Sequence, residues 1–201
     1  MDDQAFVTLA DSAAFREDSK GSVFLAHAQR VDQLTQVNGF LRGLLTQHAE
    51  ASHLCWAYKI DKAYRFSDGG EPSGTAGQPI LRAIEGQGLD HTVVGVIRYF
   101  GGTLLGAGGL MRAYGHVAAE ALRQAACVEV LPRVRLAIQA PYEHTGALYR
   151  LLDAFDAEER AENYAADGLR IQVQILRHQA DSFIRQLQNS TRGQATVASV
   201  K

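Results

Sequence analysis

Two stretches of this chain carry more glycine than a helix or strand tolerates, and the rest must be arranged around them. Phe66–Gln78 holds Gly69, Gly70, Gly74, Gly77 and Pro72, and Gly101–Gly109 holds five glycines in nine residues. Each interior glycine costs about 0.5–1 kcal/mol relative to alanine, so such density reads as structured loop. Strand patterns precede both runs. His53–Ile60 alternates, with Leu54, Trp56, Tyr58 and Ile60 on one face and His53, Cys55, Ala57 and Lys59 on the other, the pattern of a half-buried strand. His91–Tyr99 is apolar and β-branched enough for a buried strand. Helices follow: Pro79 opens one through about Glu85, and Leu110–Ala125 repeats at helical period. Upstream, Ser22–Arg30 reads as a strand and Val31–His48 as an amphipathic helix capped by Asp32, both belonging to the same α+β unit.

Pro132 follows a helix and a short exit segment, which places a domain boundary between 1–131 and 132–201. The second part reads strand Arg133–Ala140, helix His144–Phe155, strand Ala157–Asn163, strand Leu169–Arg177, helix Ala180–Asn189 and strand Gln194–Val200. That order implies a ferredoxin-like sandwich of four antiparallel strands with two helices on one face. Alternation puts Arg133, Arg135, Gln139, Arg170, Gln172 and Gln174 on the uncovered face, predicting a weakly basic surface. The acidic stretch Asp153–Glu162 reads as a solvated helix end and turn.

A net charge of −2 removes the simplest case for binding a phosphate backbone, and no DNA partner is expected. No window approaches the roughly 20 apolar residues of a membrane span, and the acidic N-terminal stretch lacks a secretory pattern. The two cysteines, Cys55 and Cys127, make neither a disulfide framework nor a zinc spacing. A soluble, cytoplasmic protein is expected.

The strand–glycine loop–helix at Arg98–Gly115 has the outline of an anion site, since unpaired N–H groups at a helix start lie open where glycines flank them. The nucleotide fingerprints fail: no Gly-Lys-Ser/Thr ends the loop, and Met111 stands where the dinucleotide pattern needs glycine or alanine. Arg98 and Arg112 could reach a phosphate or carboxylate, or form internal ion pairs with Asp68 or Glu71. Ser67–Thr75 offers Asp68, Glu71 and three hydroxyls, suited to a hard cation, to acid–base chemistry or to hydrogen-bonding their own turn and capping the next helix. Cys55 and His53, two apart on a strand, project about 7 Å from each other, too far for a nucleophile–base hydrogen bond. Trp56, Tyr99, Phe100 and Tyr114 fit core packing better than base stacking. The seven histidines have no pair at helical ligand spacing, and no metal or cofactor is expected.

Phe66-Ser-Asp-Gly-Gly-Glu-Pro-Ser-Gly-Thr-Ala-Gly-Gln-Pro-Ile-Leu81, Arg98-Tyr-Phe-Gly-Gly-Thr-Leu-Leu-Gly-Ala-Gly-Gly-Leu-Met-Arg-Ala-Tyr-Gly115 and His53-Leu-Cys-Trp-Ala-Tyr58 closely resemble the YigZ/IMPACT family. Gly69 departs from that pattern, where a second aspartate is usual, and Val23 stands where a basic residue is common. The resemblance implies an N-terminal domain with the left-handed βαβ fold of the second domain of a small-subunit ribosomal protein. It implies a C-terminal domain similar to the last domain of elongation factor G. Eukaryotic relatives bind the activator of a kinase that phosphorylates a translation initiation factor. The expected function is therefore a non-enzymatic binding or regulatory protein linked to translation or its stress regulation, with the ribosome, RNA or a translation-associated protein as partner. Its expected binding surface comprises Asp68, Glu71, Ser73, Thr75, Arg98, Tyr99, Gly101, Gly102, Gly106, Gly108, Gly109 and Arg112. The alternative is a small enzyme acting on a phosphorylated metabolite or nucleotide through Asp68, Glu71 and the Gly101–Gly109 loop.

Overall fold

Five N-terminal strands pair because their apolar faces can be covered from both sides. In the computed structural model, which describes residues 5–200, the chain divides into two compact units, one spanning Phe6–Val130 and one beginning at Leu131. The first unit contains strands β1 (Phe6–Leu9), β2 (Ala13–Ser19), β3 (Ser22–Arg30), β4 (His53–Ile60), β5 (Ala63–Ser67), β6 (Thr92–Tyr99) and β7 (Cys127–Val130). Its helices are α1 (Leu34–Gln47), α2 (Gly77–Gly86) and α3 (Ala107–Gln124). The sheet order is β2-β3-β6-β4-β5, every neighbouring pair antiparallel, with a separate ribbon of β1 and β7. Because β3 and β4 both flank β6 antiparallel, they run parallel to each other, and β3–α1–β4 is a βαβ crossover with β6 inserted between its strands.

Helices α2 and α3 cover one face of this sheet through Ile80, Ile84, Tyr114, Val117 and Ala121, packed on Phe24, Ala26, Cys55, Ala57 and Val96. Helix α1 covers the other face through Val37, with Phe40 and Leu41, over Tyr58, Val93 and Trp56. The strand at His53–Ile60 is thus covered on both faces, and the expectation of a half-buried strand is corrected: its small residues Cys55 and Ala57, fully buried, take one layer and its aromatics the other. Glycine at 95 makes room for α1, since a Cβ there would sit 2.6 Å from Leu44 Cδ1. Helix α1 starts three residues later than the sequence suggests. Its N-cap is Gln33 and not Asp32; Gln36 Oε1 accepts from the backbone N–H groups of Asp32 and Gln33, while the Asp32 carboxylate is bonded to Arg30 and His91. Strands β1, β2, β5 and β7 are not anticipated, being short or polar.

The second unit contains β8 (Arg133–Ala140), α4 (Thr145–Ala154), β9 (Glu158–Ala165), β10 (Gly168–Leu176), α5 (Ala180–Ser190) and β11 (Thr196–Val200). The strand order β11-β8-β10-β9, all antiparallel, is the ferredoxin-like arrangement expected. Leu148, Leu152, Phe183 and Leu187 of the helices pack on Leu136, Ile138, Ile171, Val173 and Ile175. The open face is less basic than its alternation predicts. Arg133 pairs with Glu158, Arg135 with Glu159 and Arg170 with Asp167, so three of the acidic residues along β9 and its turn neutralise the three arginines. Of the stretch Asp153–Glu162, read as a solvated helix end and turn, Asp153 lies at the end of α4 and Asp156 in the turn, but Glu158, Glu159 and Glu162 lie on strand β9.

Candidate functional site

Strand register builds the centre of the site. Arg98, near the end of β6, lies opposite Phe24 on one side and His53 on the other, and this row faces α3. Tyr114 of α3 meets Phe24 edge-on, with ring centroids 5.2 Å apart. The Asp68–Gly77 loop folds over this row and inserts Glu71. The Glu71 carboxylate, its side chain 4% exposed, accepts hydrogen bonds from Arg98 Nη1 at 2.7 Å and Tyr114 Oη at 2.8 Å. Arg98 also donates through Nη2 to Ser22 Oγ at 3.1 Å, and its guanidinium lies between the rings of Phe24 and Phe100. Glu71 is thereby the point at which the two glycine-rich runs are joined. Burial is the largest influence on the Tyr114 hydroxyl and pushes its pKa upward, with Cys55 and Glu71 adding to it.

Asp68 organises the loop from within. Its Oδ2 accepts from Gly74 N–H at 2.8 Å, and its Oδ1 from Ala76 and Gly77 N–H at 3.0 and 2.9 Å. The last two are donors at the start of α2, so the side chain caps that helix from eight residues upstream. Burial acts to raise the Asp68 pKa, but the three N–H groups together outweigh it and hold the carboxyl below its ordinary range. Thr75 is buried and bonds the Pro72 carbonyl, whereas Ser73 is exposed. Beneath the loop, His53 Nδ1 meets the Gly69 carbonyl at 3.0 Å and Cys55 Sγ donates to the Asp68 carbonyl at 2.9 Å. Both side chains are fasteners of the loop backbone. Burial pushes the Cys55 thiol up to about 12, so it is a poor nucleophile near neutrality. Gly69, at φ 56°, comes so close to β4 that a Cβ would lie 2.0 Å from the Leu54 carbonyl oxygen.

The second run is exposed where the first is enclosed. Gly101 crosses Gly21, where a Cβ would lie 1.9 Å from the Gly21 carbonyl oxygen. Gly102, Gly106 and Gly108 are exposed, Gly109 is partly buried, and Leu104 is 85% exposed at the loop tip. Helix α3 begins after Gly106 without a side-chain cap. Arg112 and Tyr114 are two residues apart, about 200° around the helix, so one points outward while the other reaches Glu71. Tyr99 is partly buried, its hydroxyl 3.0 Å from His48 Nδ1. Arg98 and Arg112 therefore separate. Arg98, read in sequence as an anion contact, is enclosed in the fold, and Arg112 stays exposed with no ion-pair partner among the described residues. Sequence reasoning did not single out Lys20, which stands exposed at a left-handed turn between β2 and β3 and lines a recess with Arg112. Its signal was the Lys20-Gly21 pair ahead of an apolar strand, a hairpin turn in outline.

No group of three or more His, Cys, Asp or Glu side chains among the described residues is placed to hold a metal. Among the described residues, no helix is long and apolar enough to cross a membrane.

Residues 20–122 match the Impact N-terminal domain and residues 138–194 a domain of unknown function, DUF1949. The chain belongs to the IMPACT family. An IMPACT family member from Thermus thermophilus is 45% identical over 77% of this chain and 84% of its own length. The IMPACT family member YigZ of Escherichia coli is 30% identical over 92% of this chain and 93% of that protein. A solved structure described as that of a hypothetical protein superposes with a TM-score of 0.73 at 28% identity, covering 98% of both chains. Against the IMPACT frame, the residues of the two glycine-rich runs sort into a group whose side chains are bonded within the fold and an outward group. Asp68, Glu71, Thr75 and Arg98 are internal, while Ser73, Gly101, Gly102, Gly106, Gly108 and Arg112 face outward.

Proposed function

We propose that this IMPACT family member is a non-enzymatic binding protein linked to translation or its stress regulation, and that it engages its partner through the glycine-rich surface of residues 99–112 on the N-terminal unit. The observation that carries the reading is the division of labour at Glu71. Both carboxylates of the two runs, Asp68 and Glu71, and the Cys55 thiol beneath the first run are occupied in holding the fold, and the outward residues are glycines, small hydroxyl residues, apolar tips and Arg112. Such a surface lets a partner approach the backbone closely while Arg112 supplies a directional charge. A catalytic reading is disfavoured, because Asp68 accepts three backbone N–H bonds and Glu71 Oε1 accepts from both Arg98 and Tyr114, which engages both carboxylates as structural acceptors. The link to translation rests on the family resemblance alone.

The test is sedimentation of the purified protein with ribosomes at low and moderate salt, beside a thermal-shift screen of nucleotides and divalent ions. Salt-sensitive retention on ribosomes with no stabilisation by millimolar nucleotide is the expected result. Absence from the ribosomal pellet at both salt concentrations contradicts the reading.

A further inference from the structure

The outward surface contains a built recess that distinguishes one kind of partner from another. Ser19 and Lys20, from the β2–β3 turn, and Leu105, Gly109, Arg112, Ala113 and His116, from the loop and α3, enclose about 250 Å³ together with Glu17. Leu105 and Ala113 give it an apolar floor, and both belong to the edge of the main core. Lys20 and Arg112 stand over that floor from different elements, and among the described residues neither has an ion-pair partner. The one acidic member of the lining, Glu17, faces His116 at 3.5 Å, and His116 also lies 3.9 Å from Glu120 outside the recess. A single carboxylate-bearing side chain fits such a space with its stem on Leu105 and Ala113 and its charge between Lys20 and Arg112. Leu104, 85% exposed beside Leu105, offers an apolar contact to the same partner.

Resting on the function proposed above, we infer that this recess takes an acidic, leucine-bearing protein segment, and that the partner's protein and not its nucleic acid is what this face reads. Two observations favour protein. Two cations are few for a phosphate backbone, whose binding grows with the number of phosphates neutralised. The one exposed aromatic in the loop, Phe100, is held against Arg98 and leaves no platform for successive bases.

The experiment is an amide-resolved NMR titration of the full chain with the tetrapeptide acetyl-Glu-Leu-Glu-Leu-amide. Its comparators are acetyl-Gln-Leu-Gln-Leu-amide and tetrauridylate at matched ionic strength. The glutamate peptide should shift the amides of Ser19, Lys20, Leu105, Gly109 and Arg112, and Arg112→Gln should weaken it by about fivefold while the remaining spectrum is unchanged. Equal binding of the glutamine peptide, tighter binding of tetrauridylate at the same amides, or no shift at any of them overturns the inference. Ribosome retention together with any of those three results leaves the broader function standing and removes only this occupant.

Discussion

Removing the Glu71 carboxylate tests the load that the buried pair carries. In Glu71→Ala the Arg98 guanidinium, its side chain 5% exposed, keeps its charge beside two phenylalanine rings with, among the described residues, only the Ser22 hydroxyl as acceptor. Breaking a buried pair from one side costs about 3–5 kcal/mol. Tyr114 also loses its acceptor, a further penalty of about 1–3 kcal/mol that overlaps the first. A loss of about 4 kcal/mol follows, which at a typical urea dependence for a unit of this size lowers the midpoint by roughly 2 M. Trp56 is the chain's one tryptophan and is packed against the α1 layer, so its fluorescence reports the N-terminal unit alone. The double variant Glu71→Gln/Arg98→Met removes the charge from both sides, along with an Arg98 Nε that has no acceptor among the described residues, and should recover more than half of the loss. A loss below about 1 kcal/mol in Glu71→Ala, or a double variant no better than the single one, refutes the argument that the charge is buried and paired.

Asp68 has a depressed pKa in the fold, so its contribution is present above the carboxyl's unfolded value and disappears as pH falls through the folded one; wild-type urea midpoints should drop below about pH 4 more steeply than those of Asp68→Asn, which should be weaker by about 2 kcal/mol at neutral pH. Of the two thiols, exposed Cys127 should react with an aromatic disulfide at pH 8 and buried Cys55 only after unfolding; two fast thiols in the native protein would contradict the loop geometry. Gly101→Ala forces a methyl against the Gly21 backbone and should lose about 2 kcal/mol by the same fluorescence assay. Arg135→Ala, by contrast, removes a pair exposed on both sides and should change the stability of the C-terminal unit by less than about 0.5 kcal/mol in calorimetry.

The C-terminal unit was readable because its strands keep the period-two signal of a sheet with one covered face, as Leu136, Ile138 and Ala140 show against Arg135, Ala137 and Gln139. The N-terminal sheet was harder, because both faces are covered and β4 divides small residues from large ones in place of apolar from polar. Edge strands β2 and β5 pair on one side only, with β3 and β4, and neither contains a fully buried residue. In the site, the glycine runs announced a loop–loop structure, and Glu71 with an arginine was among the pairings the residues allowed. Which arginine it takes depends on register: Arg98 is set in a row with Phe24 and His53 by strands far apart in sequence, while Arg112 is turned outward by helical phase. Lys20 joined Arg112 only through the fold, since 92 positions separate them in the chain.

The most direct measurement compares ribosome retention of two folded variants at low salt, Lys20→Ala/Arg112→Ala on the outward surface and Glu71→Gln/Arg98→Met inside. The first should lose retention while the second keeps it. Retention that survives the surface variant but is lost with the internal one would place binding at the Glu71–Arg98 pair and contradict the division between a structural interior and a binding exterior.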